Sequence, residues 1–401
     1  MKRQLTIWAG LLLVALLAGC GGGVEQAKPR RQVPGISSPT GIAEPQAKST
    51  VEEITYQGWK ALKMTNGLVT LVAVPQIGGR IMQYRLGDQS FLWVNPAEVG
   101  NIYPPVADVS ELTFRDFGGY KIWRAPSDKW SQTSVSAQSI LESGKWTYEI
   151  ITKRGHKAEI ELKSPPDADV TGLQITRNIK MYAGSTHVQI TETFENVSEQ
   201  TAKYSVQQTA QVPGSLAEDV SFSPEAKVYF PLNPDSKHKR RFVYLEEVGA
   251  KQFNPLDDNS LMEVSYQGRA GYIGADSMAG WVAYLDSIHS FAFVQCFRQS
   301  ELEDYPLEGS TITVRTSGEE PYMAVSILTS LHQLSPGETT QATVDWYATR
   351  LSGPVRQVTD TAAMTEPVQV TKEDDKFKVT GKLGVFAPGT LAIYLKDKEG
   401  K

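Results

Sequence analysis

Ala202-Lys-Tyr-Ser-Val-Gln-Gln-Thr-Ala-Gln-Val212 decides the fold, because apolar and polar residues alternate along the whole stretch. In an extended strand a period of two places every second side chain on one face, here Ala202, Tyr204, Val206, Gln208, Ala210 and Val212. Similar alternation, interrupted by glycine, proline, asparagine and aspartate, runs from residue 51 to about residue 351. We find no apolar stripe of helical period longer than about two turns. The sequence therefore predicts an all-β protein with more than a dozen strands.

So many strands exceed a small immunoglobulin-like sandwich, and they indicate either two β domains or one very large sandwich. No repeat period supports a propeller. Ser352-Gly353-Pro354 follows the last long strand, which predicts that residues 51–351 form the body and residues 352–401 a linker with a β-hairpin. The pattern leaves open whether this hairpin joins the main sheets or packs separately.

The amino terminus has the pattern of a targeting signal. Lys2 and Arg3 precede the apolar run 7–18, which is too short to cross a bilayer but suits the core of a secretory signal. Leu17-Ala-Gly-Cys20 resembles the lipobox of bacterial lipoproteins, which implies cleavage before Cys20 and acylation of its thiol. The alternative is an ordinary secretory signal with a chance cysteine.

We therefore predict a signal peptide over residues 1–19, and a lipidated Cys20 with a flexible tether over residues 20–50. The tether is rich in proline and glycine and has no aromatic residue. Its reach is on the order of 30 Å. The predicted location is the bacterial cell envelope, where the lipid anchors the protein to the outer membrane or the periplasmic face.

Charge and composition exclude several classes of function. Residues 51–401 carry 34 basic and 43 acidic side chains, a net charge of −9 that argues against a nucleic-acid partner. The five histidines show no spacing typical of a metal site, and no phosphate-binding glycine motif occurs, so we predict no metal and no cofactor. Cys296 is the only cysteine besides Cys20, and its apolar neighbours indicate a buried, inert thiol.

Three stretches in order carry a family resemblance. The first, residues 56–81, contains Gly78-Gly79-Arg80-Ile81; the second is Phe117-Gly-Gly-Tyr-Lys-Ile-Trp-Arg-Ala-Pro126; the third runs from Tyr322 to Glu338. Together they resemble a bacterial lipoprotein domain family similar to the galactose mutarotase-like superfamily, over roughly residues 51–351. The resemblance implies a β-supersandwich with a concave sheet, whose face is the sugar site in better-known relatives.

Candidate ligand-binding residues follow the paired glycines, which permit bends that aim the next side chains. Aromatic rings stack on sugar faces, and arginine, lysine and glutamine donate to hydroxyl or carboxylate groups. We expect five residues to converge on one cleft: Arg80, Tyr120, Lys121, Trp123 and Gln208. The alternatives are a buried ion pair for Arg80 and a core aromatic for Trp123.

The resemblance also implies a missing acid/base pair. In mutarotases a histidine acts as general acid on a strand behind a turn like Asn196-Val-Ser198, where this chain has Gln208 instead. The base is a glutamate on a late strand, which we align with Met323-Ala-Val-Ser326. Because an amide exchanges no protons near neutral pH, we predict no catalytic residue in these positions and no aldose 1-epimerase activity.

The sequence thus predicts a membrane-tethered protein that binds a carbohydrate or glycoconjugate. One alternative is a glycan lyase or hydrolase on the same scaffold, using Lys121, Tyr120 or the acidic loop at Glu301. Another is a structural envelope lipoprotein without a small ligand. The basic run Lys237-His-Lys-Arg-Arg241 is either a solvated loop or a contact for anionic lipid or lipopolysaccharide phosphate.

Overall fold

The structure is a computed structural model, which describes residues 48–103, 115–125, 140–168, 171–217, 221–246, 251–299, 304–373 and 376–390. The predicted signal peptide, Cys20, almost all of the tether, and Glu301 lie outside these residues. The regular secondary structure of the described chain is nearly all β-strand, which confirms the predicted fold class. Helical turns within it are limited to Pro96–Glu98 and Pro306–Gly309, and none of its helices has the length and apolar character that a bilayer crossing requires.

Most strands form two large antiparallel sheets. The strands of the larger sheet are β1 (Ser49–Tyr56), β2 (Trp59–Thr65), β3 (Val69–Val74), β4 (Arg80–Leu86), β5 (Gln89–Ser90), β6 (Tyr120–Ala125), β8 (Arg154–Gly155), β12 (Ala202–Pro213), β14 (Val243–Glu246), β17 (Gly271–Ala275), β20 (Ile312–Thr316), β21 (Tyr322–Leu328) and β22 (His332–Leu334). Their order is β14-β17-β20-β21-β12-β6-β4-β3-β2-β1-β8, with β22 on β12 and β5 on β4.

The second sheet has the order β15-β16-β13-β18-β19-β23-β11-β10-β9-β7. Its strands are β7 (Thr147–Thr152), β9 (Lys157–Lys163), β10 (Leu173–Tyr182), β11 (Val188–Asn196), β13 (Ala226–Pro231), β15 (Phe253–Leu256), β16 (Leu261–Ser265), β18 (Trp281–Asp286), β19 (Phe291–Phe297) and β23 (Thr339–Arg350). A small third sheet contains β24 (Gln357–Val358), β25 (Ala362–Glu373) and β26 (Lys376–Val385).

By contact density, the described residues divide into a large compact unit, residues 48–368 with 381–388, and a small one that contains 369–373 and 376–380. Both large sheets belong to the large unit. Within that unit the ring of Phe386 stacks on Tyr347 with centroids 4.4 Å apart, and the Phe386 carbonyl accepts a hydrogen bond from the Thr186 amide. The proposed boundary near residue 352 stays a prediction.

The main hydrophobic core joins side chains of the two large sheets. Aromatic rings meet there: Tyr84 of the larger sheet lies 5.4 Å from both Phe293 and Trp346 of the second sheet, and Tyr120 lies 5.0 Å from Trp346 edge-to-face. The alternation predicted for β12 is what builds this contact, because Val206 and Ala210 belong to the same core. We call the side of the larger sheet that faces this core its inner face.

One ion pair lies fully inside the core. The Nε of Arg177 donates to Oε1 of Glu192 at 2.7 Å, and neither side chain has any exposed surface. The guanidinium lies 5.1 Å from the ring centre of Tyr120 and 5.4 Å from that of Trp146, and it also donates to the carbonyl of Gly79. Burial raises the pKa of the Glu192 carboxyl, and the charge of Arg177 opposes that rise.

Candidate functional site

A row of polar side chains crosses four strands on the side of the larger sheet that faces away from the core. Backbone pairing places Lys121 of β6 opposite Thr209 of β12, Thr209 opposite Ser326 of β21, and Ser326 opposite Thr313 of β20. These residues alternate with core residues such as Ala210, so they belong to the opposite face. We call this row, with Gln207 and Gln211 of β12, the polar face.

Hydrogen bonds connect the hydroxyl groups of this row. Thr209 Oγ1 and Ser326 Oγ lie 2.9 Å apart, and the Gln207 amide donates to Ser326 Oγ at 3.2 Å. Thr209 and Ser326 are buried, whereas Gln207 and Lys121 are half-buried. The polar face thus offers a preformed set of donors and acceptors, which is the kind of surface that binds hydroxyl groups.

An aromatic and carboxylate cluster lies at the end of β12, two residues beyond Thr209. The Gln211 amide donates to both carboxylate oxygens of Asp116 at 2.9 Å, and the amide of Gly118 donates to one of them at 3.3 Å. The ring of Tyr322 stacks on Trp93 with centroids 4.5 Å apart and an angle of 26°. We call these four side chains, Trp93, Asp116, Gln211 and Tyr322, the aromatic cluster.

The electrostatics of the cluster keep its phenol protonated. Burial and the Asp116 carboxylate raise the pKa of the Tyr322 phenol, so this hydroxyl stays protonated and acts as a donor. Asp116 already accepts hydrogen bonds from Gln211 and Gly118. By accepting these hydrogen bonds, the Asp116 carboxylate holds the Gln211 side chain and the Gly118 amide in place. Within the described residues no group of three or more His, Cys, Asp or Glu side chains is arranged to hold a metal ion.

A cation extends the aromatic cluster across the sheet. Pairing places Gln211 opposite Ala324 of β21, and Ala324 opposite Arg315 of β20. The Arg315 guanidinium lies 4.0 Å from the centre of the Tyr272 ring, and its Nη1 donates to Glu246 at 2.6 Å. Both side chains of this ion pair are more than two-fifths exposed. A planar, positioned guanidinium of this kind suits a hydroxyl or carboxylate of a ligand.

The five residues predicted from the sequence divide between the two faces. Arg80 and Lys121 are neighbours on adjacent strands and share Glu142, whose Oε2 forms an ion pair with Arg80 and lies 3.7 Å from the Lys121 ammonium. Arg80 is 1% exposed, so it occupies the buried ion pair given above as the alternative. Trp123 follows Lys121 by two residues on the same face, is half-buried, and packs against the edge of the main core.

Tyr120 and Gln208 lie on the inner face instead. Tyr120 donates to Glu192 Oε1 at 3.2 Å and has no exposed surface, and the Gln208 side chain adjoins its hydroxyl. The strand period explains this placement, because Tyr120 and Lys121 are consecutive and must point to opposite faces. The structure therefore brings Arg80, Lys121 and Trp123 to one side and Tyr120 and Gln208 to the other. Ligand binding by these residues stays a prediction.

Sequence reasoning missed the aromatic cluster, although one signal was present. Gln207, Thr209 and Gln211 occupy every second position of β12 and so predict a polar face opposite the apolar one. Trp93 and Asp116 carry no comparable signal, because they lie outside regular strands. Trp93 meets β12 through its backbone, and Asp116 through its carboxylate. The amide of Trp93 donates to the carbonyl of Gln211 at 2.8 Å.

Gly118 allows the backbone to approach Trp93 closely. Its substitution should therefore lower the free energy of unfolding. Its φ is +83°, and an added Cβ would lie 2.4 Å from the carbonyl oxygen of Trp93. We expect Gly118→Ala to lower the free energy of unfolding by about 2–4 kcal/mol, from backbone strain and overpacking together. Urea unfolding measures the loss.

Gly67 provides the matched control for this prediction. Its φ is +86°, but no atom lies within 4 Å of an added Cβ. Gly67→Ala should therefore carry only the conformational cost of about 1 kcal/mol. Equal losses in the two variants would show that the close approach at Trp93 has no energetic weight.

Structural comparison finds neighbours that are galactose mutarotase-like proteins at low sequence identity. A galactose mutarotase-like protein from Clostridium acetobutylicum has a TM-score of 0.46 and 12% identity, over 77% of this chain and 100% of that one. One from Lactobacillus casei has a TM-score of 0.46 and 10% identity, over 72% and 99%. A galactose mutarotase related enzyme from Lactobacillus acidophilus has a TM-score of 0.44 and 11% identity, over 74% and 100%. No protein-family model and no curated protein matches the sequence.

Proposed function

We propose that this protein binds a carbohydrate or glycoconjugate on the polar face and its aromatic cluster. The observation that carries the proposal is the stacked pair of Trp93 and Tyr322 beside the Asp116–Gln211 pair. An aromatic ring covers the apolar face of a pyranose, while amide, carboxylate and phenol groups meet its hydroxyls. The family resemblance implies a sugar site on a face of a large sheet, and the polar face is the candidate surface that we choose for it.

A buried acceptor within the cluster supports the same proposal. Oε1 of Gln211 has no hydrogen-bond partner among the described residues, although the side chain is 2% exposed. An unpaired buried acceptor costs about 1–3 kcal/mol. A ligand hydroxyl that donates to this oxygen would recover that free energy.

The proposal excludes mutarotase chemistry. A general acid must reach the sugar, but Gln208 carries an amide and faces the core beside Tyr120. On β21 the polar face presents Tyr322, Ala324 and Ser326, none of which is a carboxylate. We therefore propose a binding protein without aldose 1-epimerase activity.

A glycan array probed with the purified protein tests the binding proposal. We expect signal on a small set of related glycans, because the row of positioned polar groups selects particular hydroxyl arrangements. Heat-denatured protein on the same array is the control. Signal that does not exceed this control on any glycan would contradict the proposal.

We further propose that a lipid on Cys20 holds the domain at the membrane. The supporting observations are the apolar run 7–18 and Leu17-Ala-Gly-Cys20. In fractions washed at about 1 M salt, which screens electrostatic attraction to lipid headgroups, a Cys20→Ser variant should move almost entirely from the membrane pellet to the soluble fraction, because the acyl chains supply the membrane affinity that salt does not screen. Immunoblots of detergent-free fractions measure this. Unchanged retention of the variant in the pellet would contradict the anchor.

A further inference from the structure

A loop of consecutive basic residues lies between β13 and β14. Lys237, His238, Lys239, Arg240 and Arg241 follow one another, while residues 51–401 as a whole carry a net charge of −9. We call residues 236–241 the basic loop. Its charge is therefore opposite to that of the body that carries it.

Hydrogen bonds hold the backbone of the basic loop in place. Asp276 accepts from Ser236 Oγ at 2.6 Å and from the Lys237 amide at 3.1 Å. The His238 imidazole lies 3.0 Å from the Glu308 carbonyl oxygen, and the Arg241 amide donates to the His238 carbonyl at 2.7 Å. The loop is thus a formed turn, so the backbone positions of its basic residues are defined.

Three of these basic side chains are exposed, and the Arg240 guanidinium also lies 5.8 Å from the centre of the Tyr244 ring. Lys237, Lys239 and Arg240 are exposed, and none has a carboxylate within ion-pair distance in the described part of the chain. Arg241 instead donates to the carbonyl of Asn259 at 2.7 Å. The exposed charges remain available for an anionic partner.

An exposed apolar side chain lies two residues beyond Asp276, which holds the loop. This side chain, Met278, is 49% exposed. That spacing keeps the Cα atoms of Asp276 and Met278 within about 7 Å of each other. Cations beside an exposed apolar side chain are the combination that binds a bilayer surface, where the apolar group enters the headgroup boundary.

We propose that the basic loop and Met278 form a contact surface for the anionic phosphate headgroups of a membrane. Because the rest of the body is acidic, an anionic surface repels it and attracts this loop, which fixes the orientation of the domain. The contact acts separately from the glycan site, since the loop includes no residue of the polar face or the aromatic cluster.

Vesicle sedimentation tests the contact. A chain that starts at residue 20 and carries Cys20→Ser has neither the apolar run 7–18 nor the acylated thiol, and its tether is the same in every variant below. We expect it to sediment with vesicles of equal parts phosphatidylcholine and phosphatidylglycerol but not with pure phosphatidylcholine. Raising the salt from about 0.1 M to about 1 M should release it, because the Debye length falls from about 10 Å to about 3 Å.

Charge variants identify the surface. Adding Lys237→Gln, Lys239→Gln and Arg240→Gln should lower partitioning about 100-fold, since each cation near an anionic surface contributes about fivefold. The matched control, Lys60→Gln, Lys145→Gln and Lys153→Gln, changes net charge equally at three exposed lysines elsewhere and should lose far less. Met278→Ser should weaken binding severalfold while its salt sensitivity remains.

Two results would overturn the proposal. Equal losses in the two triple variants would show that only net charge matters. Competition by millimolar inorganic phosphate as strong as that by anionic vesicles would show a site for free phosphate rather than for headgroups. Unchanged thermal unfolding of the triple variants confirms that any loss of binding is not loss of fold.

Discussion

Replacing Arg177 with methionine should lower the free energy of unfolding by about 3–5 kcal/mol. Arg177 and Glu192 form an ion pair at 2.7 Å with no exposed surface on either side chain. Without the guanidinium, the carboxylate must either stay charged in the core or take up a proton, and both cost free energy. The substitution also removes a cation held between the rings of Tyr120 and Trp146. Urea unfolding by fluorescence measures the loss.

Two further variants test this explanation. Lys63→Met breaks an ion pair with Glu52 at 3.7 Å whose side chains are 33% and 59% exposed, so it should cost only about 0–1 kcal/mol. The double variant Arg177→Met with Glu192→Met leaves no uncompensated charge and should lose less than Arg177→Met alone. A double variant less stable than either single variant would mean that the pair is stabilising in itself.

Strand alternation made much of this fold predictable. The alternating stretches at residues 173–182, 187–195 and 202–212 all became long strands, because a sheet with one buried face requires that period. Alternation does not predict strand β16, Leu261–Ser265, since its five residues include only one that is not buried. No local sequence pattern predicts the order in which the strands pair. That order is seen only in the structure.

In the candidate site, too, strand alternation predicts the direction of some residues, whereas the position of others is seen only in the structure. Gln208 stands among apolar side chains on its strand face, and that pattern already indicates a residue directed to the core. Its polarity suggested a ligand contact, but the period of the strand decided its direction. Asp116 and Trp93 could not be assigned from the sequence, because loop contacts bring them to Gln211.

Carbohydrate affinity should depend strongly on Tyr322. Its ring stacks on Trp93, and its protonated hydroxyl lies beside the Asp116 carboxylate. A ligand that stacks on this pair loses both contacts in Tyr322→Ala. We expect the free energy of binding to weaken by about 1–3 kcal/mol, which raises Kd roughly 5- to 150-fold.

Tyr182 is the matched control, because it is also half-buried and stacked, with its ring 4.5 Å from that of His187, but it belongs to the second sheet. The decisive measurement is calorimetric titration of the strongest array glycan into the unmodified protein, Tyr322→Ala and Tyr182→Ala. A site on the polar face predicts a large loss of affinity in Tyr322→Ala and none in Tyr182→Ala. Unchanged affinity in Tyr322→Ala, or a greater loss in Tyr182→Ala, would contradict it.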